Sequence, residues 1–133
     1  MTDIQFVKSD DTIDPKLFSD EAEAMAITVK KDYEASKERQ NRRSQIRKFY
    51  DEIIRLESIV ENRPESWSVV LPQIHMLIAK AAYAQGRGLV SMTFLNFIRN
   101  SVKQVDTPRK LIIFSNFFEA FMGFYKFHCP KSN

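Results

Sequence analysis

The sequence of 133 residues is poor in glycine, with three, and has one cysteine, Cys129. So few glycines, with few alternating runs of Thr, Val and Ile, argue against a sheet-rich fold and for helices. One cysteine excludes an internal disulfide and most cysteine-based metal sites, and points to a reducing, cytoplasmic setting. Long apolar runs are missing too. The most apolar stretch, in the C-terminal third, is broken by Asn116 and Glu119 far short of the roughly 20 residues that cross a membrane. The N-terminus, Met1 to Lys8, sets charges beside its apolar residues and does not read as a secretory signal. No membrane is expected as a partner.

Catalytic constellations are equally scarce. His75 and His128 have no matching serine or cysteine motif, and Cys129, next to His128, belongs to a different side of a helix. No pair of ligands has the spacing of a His-Glu-x-x-His metal site. Gly86-Arg87-Gly88 resembles part of a phosphate-binding loop, but no strand precedes it and no Gly-Lys-Ser follows. Carboxylate neighbours such as Asp51 and Glu52, or Glu21 and Glu23, are the ordinary furniture of a helix surface. No catalytic residue, no metal and no cofactor is expected.

What the chain has in plenty is phenylalanine, eleven residues, concentrated between Pro108 and His128. Thr107 suits the N-cap of a helix there, and Pro108 its first position, where the missing N–H has no partner to lose. At about 100° per residue, Leu111, Ile113, Phe114, Phe117, Phe118, Ala120, Phe121, Phe124 and Tyr125 cover more than half of the helix circumference. A surface helix needs only a stripe of roughly 100°. This helix is therefore sandwiched between others, or lends a second face, through Phe117, Phe121 and Phe124, to a partner. The two readings are compatible.

Earlier in the chain, residues 1–15 read as a flexible N-terminal arm and 16–133 as a helical bundle. Ser19, followed by Asp20, Glu21 and Glu23, predicts the cap of a first helix reaching about Tyr33. The charged run from Lys30 to Arg43 has no apolar period after Glu34, which predicts a loop or a solvated helix extension. Its alternative is an arm, with Arg42 and Arg43, that orders on RNA. From Ser44 the stripe of Ile46, Phe49, Tyr50, Ile53, Leu56, Ile59 and Val60 predicts a strong amphipathic helix, ended by Pro64. On its outer face Asp51 is spaced to pair with Arg47 and Arg55. A third helix follows to Gln85, bent near Pro72, with Gly86 as left-handed C-cap. Ser91 caps a fourth. The short connections favour antiparallel neighbours, so the expected fold is all-α, a single-domain compact bundle of about five helices.

The formal net charge of +3 permits a polyanionic partner. Lys80 and Arg87 stand two turns apart on one side of the third helix, and Lys80 lies among Ala79, Ala81 and Ala82, where a phosphate backbone could come close. Tyr83 either packs or stacks on a base.

Three blocks, read together, resemble a known family: Ser44-Gln-Ile-Arg-Lys-Phe-Tyr-Asp-Glu-Ile53, Leu71-Pro-Gln-Ile-His-Met-Leu-Ile-Ala-Lys-Ala-Ala-Tyr-Ala-Gln-Gly-Arg87 and Phe117-Phe-Glu-Ala-Phe-Met-Gly-Phe-Tyr-Lys-Phe127. They are similar to the small helical subunit of the type III-A CRISPR effector, the Csm complex. The resemblance implies a non-catalytic subunit of an antiviral defence complex, stacked in several copies along guide RNA and target RNA beside the other Csm subunits. It also implies that Arg47, Lys48, Lys80 and Arg87 contact phosphates. The sequence departs from the family pattern at His75 and Ile78, where more basic character is expected. Two rival readings are a helical homodimeric adaptor, joined through the Phe-rich helix without nucleic acid, and a helix-turn-helix DNA reader. The reader would turn at Arg87 and Gly88 and offer only Asn96, Arg99, Asn100 and Lys103, a poor set for base edges.

Overall fold

The computed structural model describes residues 4–132. Five α-helices follow in order: α1 Ala22–Ala35, α2 Arg43–Asn62, α3 Trp67–Gly86, α4 Met92–Lys103 and α5 Pro108–His128. A π-helical turn, Leu17–Glu21, leads into α1, and a 3-10 turn, Pro64–Ser66, joins α2 to α3. No strand occurs among the described residues, and the whole is a single all-α domain.

α5 is the centre. It packs on α1 and α2, while α4 meets it ring against ring: Phe97 lies 5.8 Å from Phe117, 5.7 Å from Phe118 and 5.4 Å from Phe121. Phe94 bridges outward from Phe118 to Phe49 of α2. With neighbours on three sides, the broad apolar circumference of α5 has somewhere to go. Phe114, Phe117, Phe118, Phe121 and Tyr125 are all sealed from solvent. Phe117 and Phe121 therefore cannot form the partner face expected of them, and Phe124 is only half-buried against the core. The ring left in solvent is Phe127, 74% exposed.

Two of the three N-caps predicted from short-range spacing act as such. The Ser91 hydroxyl accepts from the Phe94 N–H and the Thr107 hydroxyl from the Lys110 N–H, each satisfying one of the orphan donors of a first helical turn. Ser19 does not cap α1, because the chain is already coiled by Leu17; Asp14 instead accepts from the Lys16 N–H just ahead of the turn. α3 runs unbroken through Pro72 to Gly86. The left-handed residue after it is Gly88, with φ +74°, rather than Gly86.

The segment 4–15 is irregular, with a tight turn between Lys8 and Thr12, but it is not free. Phe6 inserts between Phe114 and Phe117 and is 1% exposed. Its N–H donates to Gln104 Oε1 at 2.8 Å, and Gln104 Nε2 donates to the Ile4 carbonyl at 2.6 Å. Burial of one ring, with hydrogen bonds from both halves of a part-buried amide, holds Ile4 and Phe6 of the expected arm against the core. Residues 1–3 of the expected arm, and Asn133 at the end of the expected bundle, lie outside the described residues.

Candidate nucleic-acid interface

α2 and α3 lie side by side, joined by a turn too short to let them part. Between them runs an open groove of about 300 Å³, floored by Phe49, Leu77 and Ala84. Helical spacing decides what stands along its walls. Lys48 and Glu52, one turn apart, come from α2; Lys80, Tyr83 and Arg87 come from α3 and its exit. Tyr83 is 68% exposed, and the Arg87 guanidinium lies 5.7 Å from its ring centroid, a cation–π contact that stiffens both. Tyr83 is thus a surface platform rather than a core side chain.

Glu52 is the acid in this basic groove. Arg55 grips its two oxygens as a fork, Nε to Oε1 at 2.8 Å and Nη2 to Oε2 at 2.9 Å. Lys80 Nζ approaches Oε2 at 3.5 Å. The hydrogen bonds from Arg55, with Lys80 nearby, hold the Glu52 carboxyl below the usual carboxylate range despite its partial burial. Arg55 therefore pairs three residues back with Glu52, and this ion pair takes the place of the one expected with Asp51. Sequence reasoning passed over Glu52 as a surface neighbour of Asp51; the signal that existed was its position one turn after Lys48.

Of the basic residues singled out from the sequence, Lys48, Lys80 and Arg87 meet on this groove. Arg42, Arg43 and Arg47 do not line it. Arg42 and Arg47 are exposed, and the Arg42 Nε donates to the Glu38 carbonyl at 3.0 Å. Arg43 turns inward: its N–H donates to Ser132 Oγ at 2.8 Å, and its Nη1 is shielded from solvent without a hydrogen-bond partner among the described residues.

The loop carrying Arg42 is nevertheless tied to the turn carrying Arg87, through Asn41. This residue is fully buried with φ +63°, a left-handed conformation that asparagine tolerates. Its N–H donates to the Leu89 carbonyl, its Nδ2 to the Val29 carbonyl and Ser91 Oγ, and its Oδ1 accepts from the Ser91 N–H. The Tyr125 hydroxyl donates to the Asn41 carbonyl at 2.6 Å, and burial pushes that phenol far above its ordinary range. One asparagine thus joins α1, α5 and both loops. Nothing short of the tertiary contacts distinguishes it from its charged neighbours.

Elsewhere, His128 pairs with Glu23 at 2.8 Å across α5 and α1, and His75 is exposed. Among the described residues no three His, Cys, Asp or Glu side chains gather to hold a metal ion, and no helix is long and apolar enough to cross a membrane.

No curated protein and no solved structure matches the chain. The sequence does match the family Csm2 Type III-A, over residues 14–131. That span takes in all five helices, the α2–α3 groove and the Asn41 junction, so the chain belongs to the Csm2 Type III-A family, a small subunit of the type III-A CRISPR Csm complex.

Proposed function

We propose that the chain is a non-catalytic, RNA-binding subunit whose α2–α3 groove grips the sugar-phosphate backbone of guide RNA and target RNA. The observation that carries this reading is the convergence of Lys48, Lys80 and Arg87 with the exposed ring of Tyr83 on one open groove. Phosphates neutralise the cations and release counterions, while the ring offers a face to a sugar or base regardless of sequence. Arg42 and Arg47, on the neighbouring surface, extend the same field. Five cations, three of them on the groove, give a single chain weak affinity. Copies of the chain stacked along one strand, beside the other Csm subunits in the cytoplasm, turn that weak contact into firm grip through effective concentration.

The adaptor reading loses its motive, since Phe117 and Phe121 are consumed by the core. The direct test is filter binding of labelled RNA by the full chain and by the assembled complex over a range of salt. Lys80→Ala combined with Arg87→Ala weakens binding and flattens the salt dependence by about one to two units of slope. An unchanged slope in that double variant removes the groove from RNA binding.

A further inference from the structure

Lys80 lines the groove, and in the free chain it is not idle: its Nζ stands 3.5 Å from Glu52 Oε2. A carboxylate oxygen at that distance presents a lysine with the same chemistry as a phosphate oxygen, one negative acceptor for one ammonium. We infer that Glu52 is a built-in competitor for phosphate, pairing with Lys80 in the free chain and yielding it when RNA enters the groove. The inference rests on the groove being the RNA site.

The geometry makes such an exchange inexpensive. Glu52 is already held at both oxygens by Arg55 at 2.8 and 2.9 Å, and Arg55 is steadied in turn by Gln73 Oε1 at 3.1 Å. Lys80 is thus the third and longest contact of the carboxylate. When it swings to a phosphate, Glu52 keeps its fork and no buried charge is stranded. The side chain of Lys80 is 52% exposed, on a flexible four-carbon stem, so reaching outward needs only rotamer changes. Glu52, 20% exposed and fixed, stays behind in the groove as a standing negative charge facing an incoming polyanion.

Two consequences distinguish this arrangement from a plain basic patch. The groove carries Lys48, Lys80 and Arg87 against Glu52, so one of its cations is matched before any ligand arrives. A lone subunit is accordingly held to weak, non-persistent contact with stray RNA, and firm binding is reserved for an array of copies on one strand.

Replacing the carboxylate by an isosteric amide tests this. The full chain carrying Glu52→Gln is compared with the natural chain by filter binding to a labelled RNA duplex of arbitrary sequence, with Glu52→Ala as a second variant. The expected result is binding about three- to five-fold tighter at low salt, the scale of one partly exposed ion pair. The salt slope steepens by about one unit. Adding Lys80→Ala to Glu52→Gln removes most of the gain, because the competitor acts through that lysine. Equal or weaker binding by both Glu52 variants, in chains where Lys80→Ala still weakens RNA binding, overturns the competitor while leaving the groove as the RNA site. RNA binding that is indifferent to Lys80 and Arg87 overturns both.

Discussion

The aromatic centre of α5 and the α2–α3 groove are built on opposite terms. Around α5, rings meet rings at centroid distances from 5.4 to 6.4 Å, and each side chain gains from being removed from water whatever its particular neighbour. In the groove, the worth of a charge depends on which charge stands across from it. Lys80 is a free cation or a matched one according to whether Glu52 lies within reach. Apolar surplus is thus predictable in its fate and vague in its partners; a surface charge is predictable in its exposure and open in its meaning.

The largest effect expected is in the centre. Phe118 is fully buried and touches the rings of Tyr50, Phe94, Phe97, Phe114 and Phe121. Phe118→Ala should cost about 3–5 kcal/mol of unfolding free energy, read by chemical denaturation. A loss under about 1 kcal/mol would mean that α5 is not the centre of the core. Next comes Asn41. Asn41→Gly keeps the left-handed backbone and deletes the side-chain bonds to Val29 and Ser91, for about 1–3 kcal/mol. Asn41→Ala should cost about a further 1 kcal/mol for the φ of +63°; thermal melts of the two variants separate the hydrogen bonds from the strain.

The groove should answer differently. Lys80→Ala with Arg87→Ala, side chains at the surface, should move stability by no more than about 0.5 kcal/mol while RNA affinity and salt slope fall. A double variant that melts early instead would show these residues to be structural. The smallest effect is the pH response of Glu52, whose carboxyl lies below its ordinary value of 4.5 through its bonds to Arg55. A lowered folded-state value means that the contribution to stability is complete above about pH 4.5 and is lost as the pH falls through the folded value. For a carboxylate at the surface it amounts to tenths of a kcal/mol. Melting curves of the natural chain and of Glu52→Gln should therefore converge slightly as the pH drops from 6 to 3; parallel curves would mean that the fork with Arg55 contributes nothing.

Much of the fold was legible from residue order. Ser91 and Thr107 could be named as caps because capping is a bond over three residues, and the stripes of α2 and α4 emerge from helical spacing alone. Gly86 was the wrong choice for the left-handed position because α3 runs one residue further than its spacing suggested, and the turn falls on Gly88. The docking of Phe6 was hidden, since a lone ring in a short segment of mixed character has no period to announce it. The match to the Csm2 Type III-A family accords with the resemblance carried by the three sequence blocks.

From the order of residues alone came the helices, their caps, and a surplus of rings on the last of them, because these depend on spacings of three and four residues along one chain. The packed structure alone decided that this surplus faces inward, that Asn41 joins two distant loops, and that Lys48, Lys80 and Arg87 share a groove with Glu52. Those outcomes depend on which helices become neighbours, and a spacing within one helix carries no information about the helix beside it.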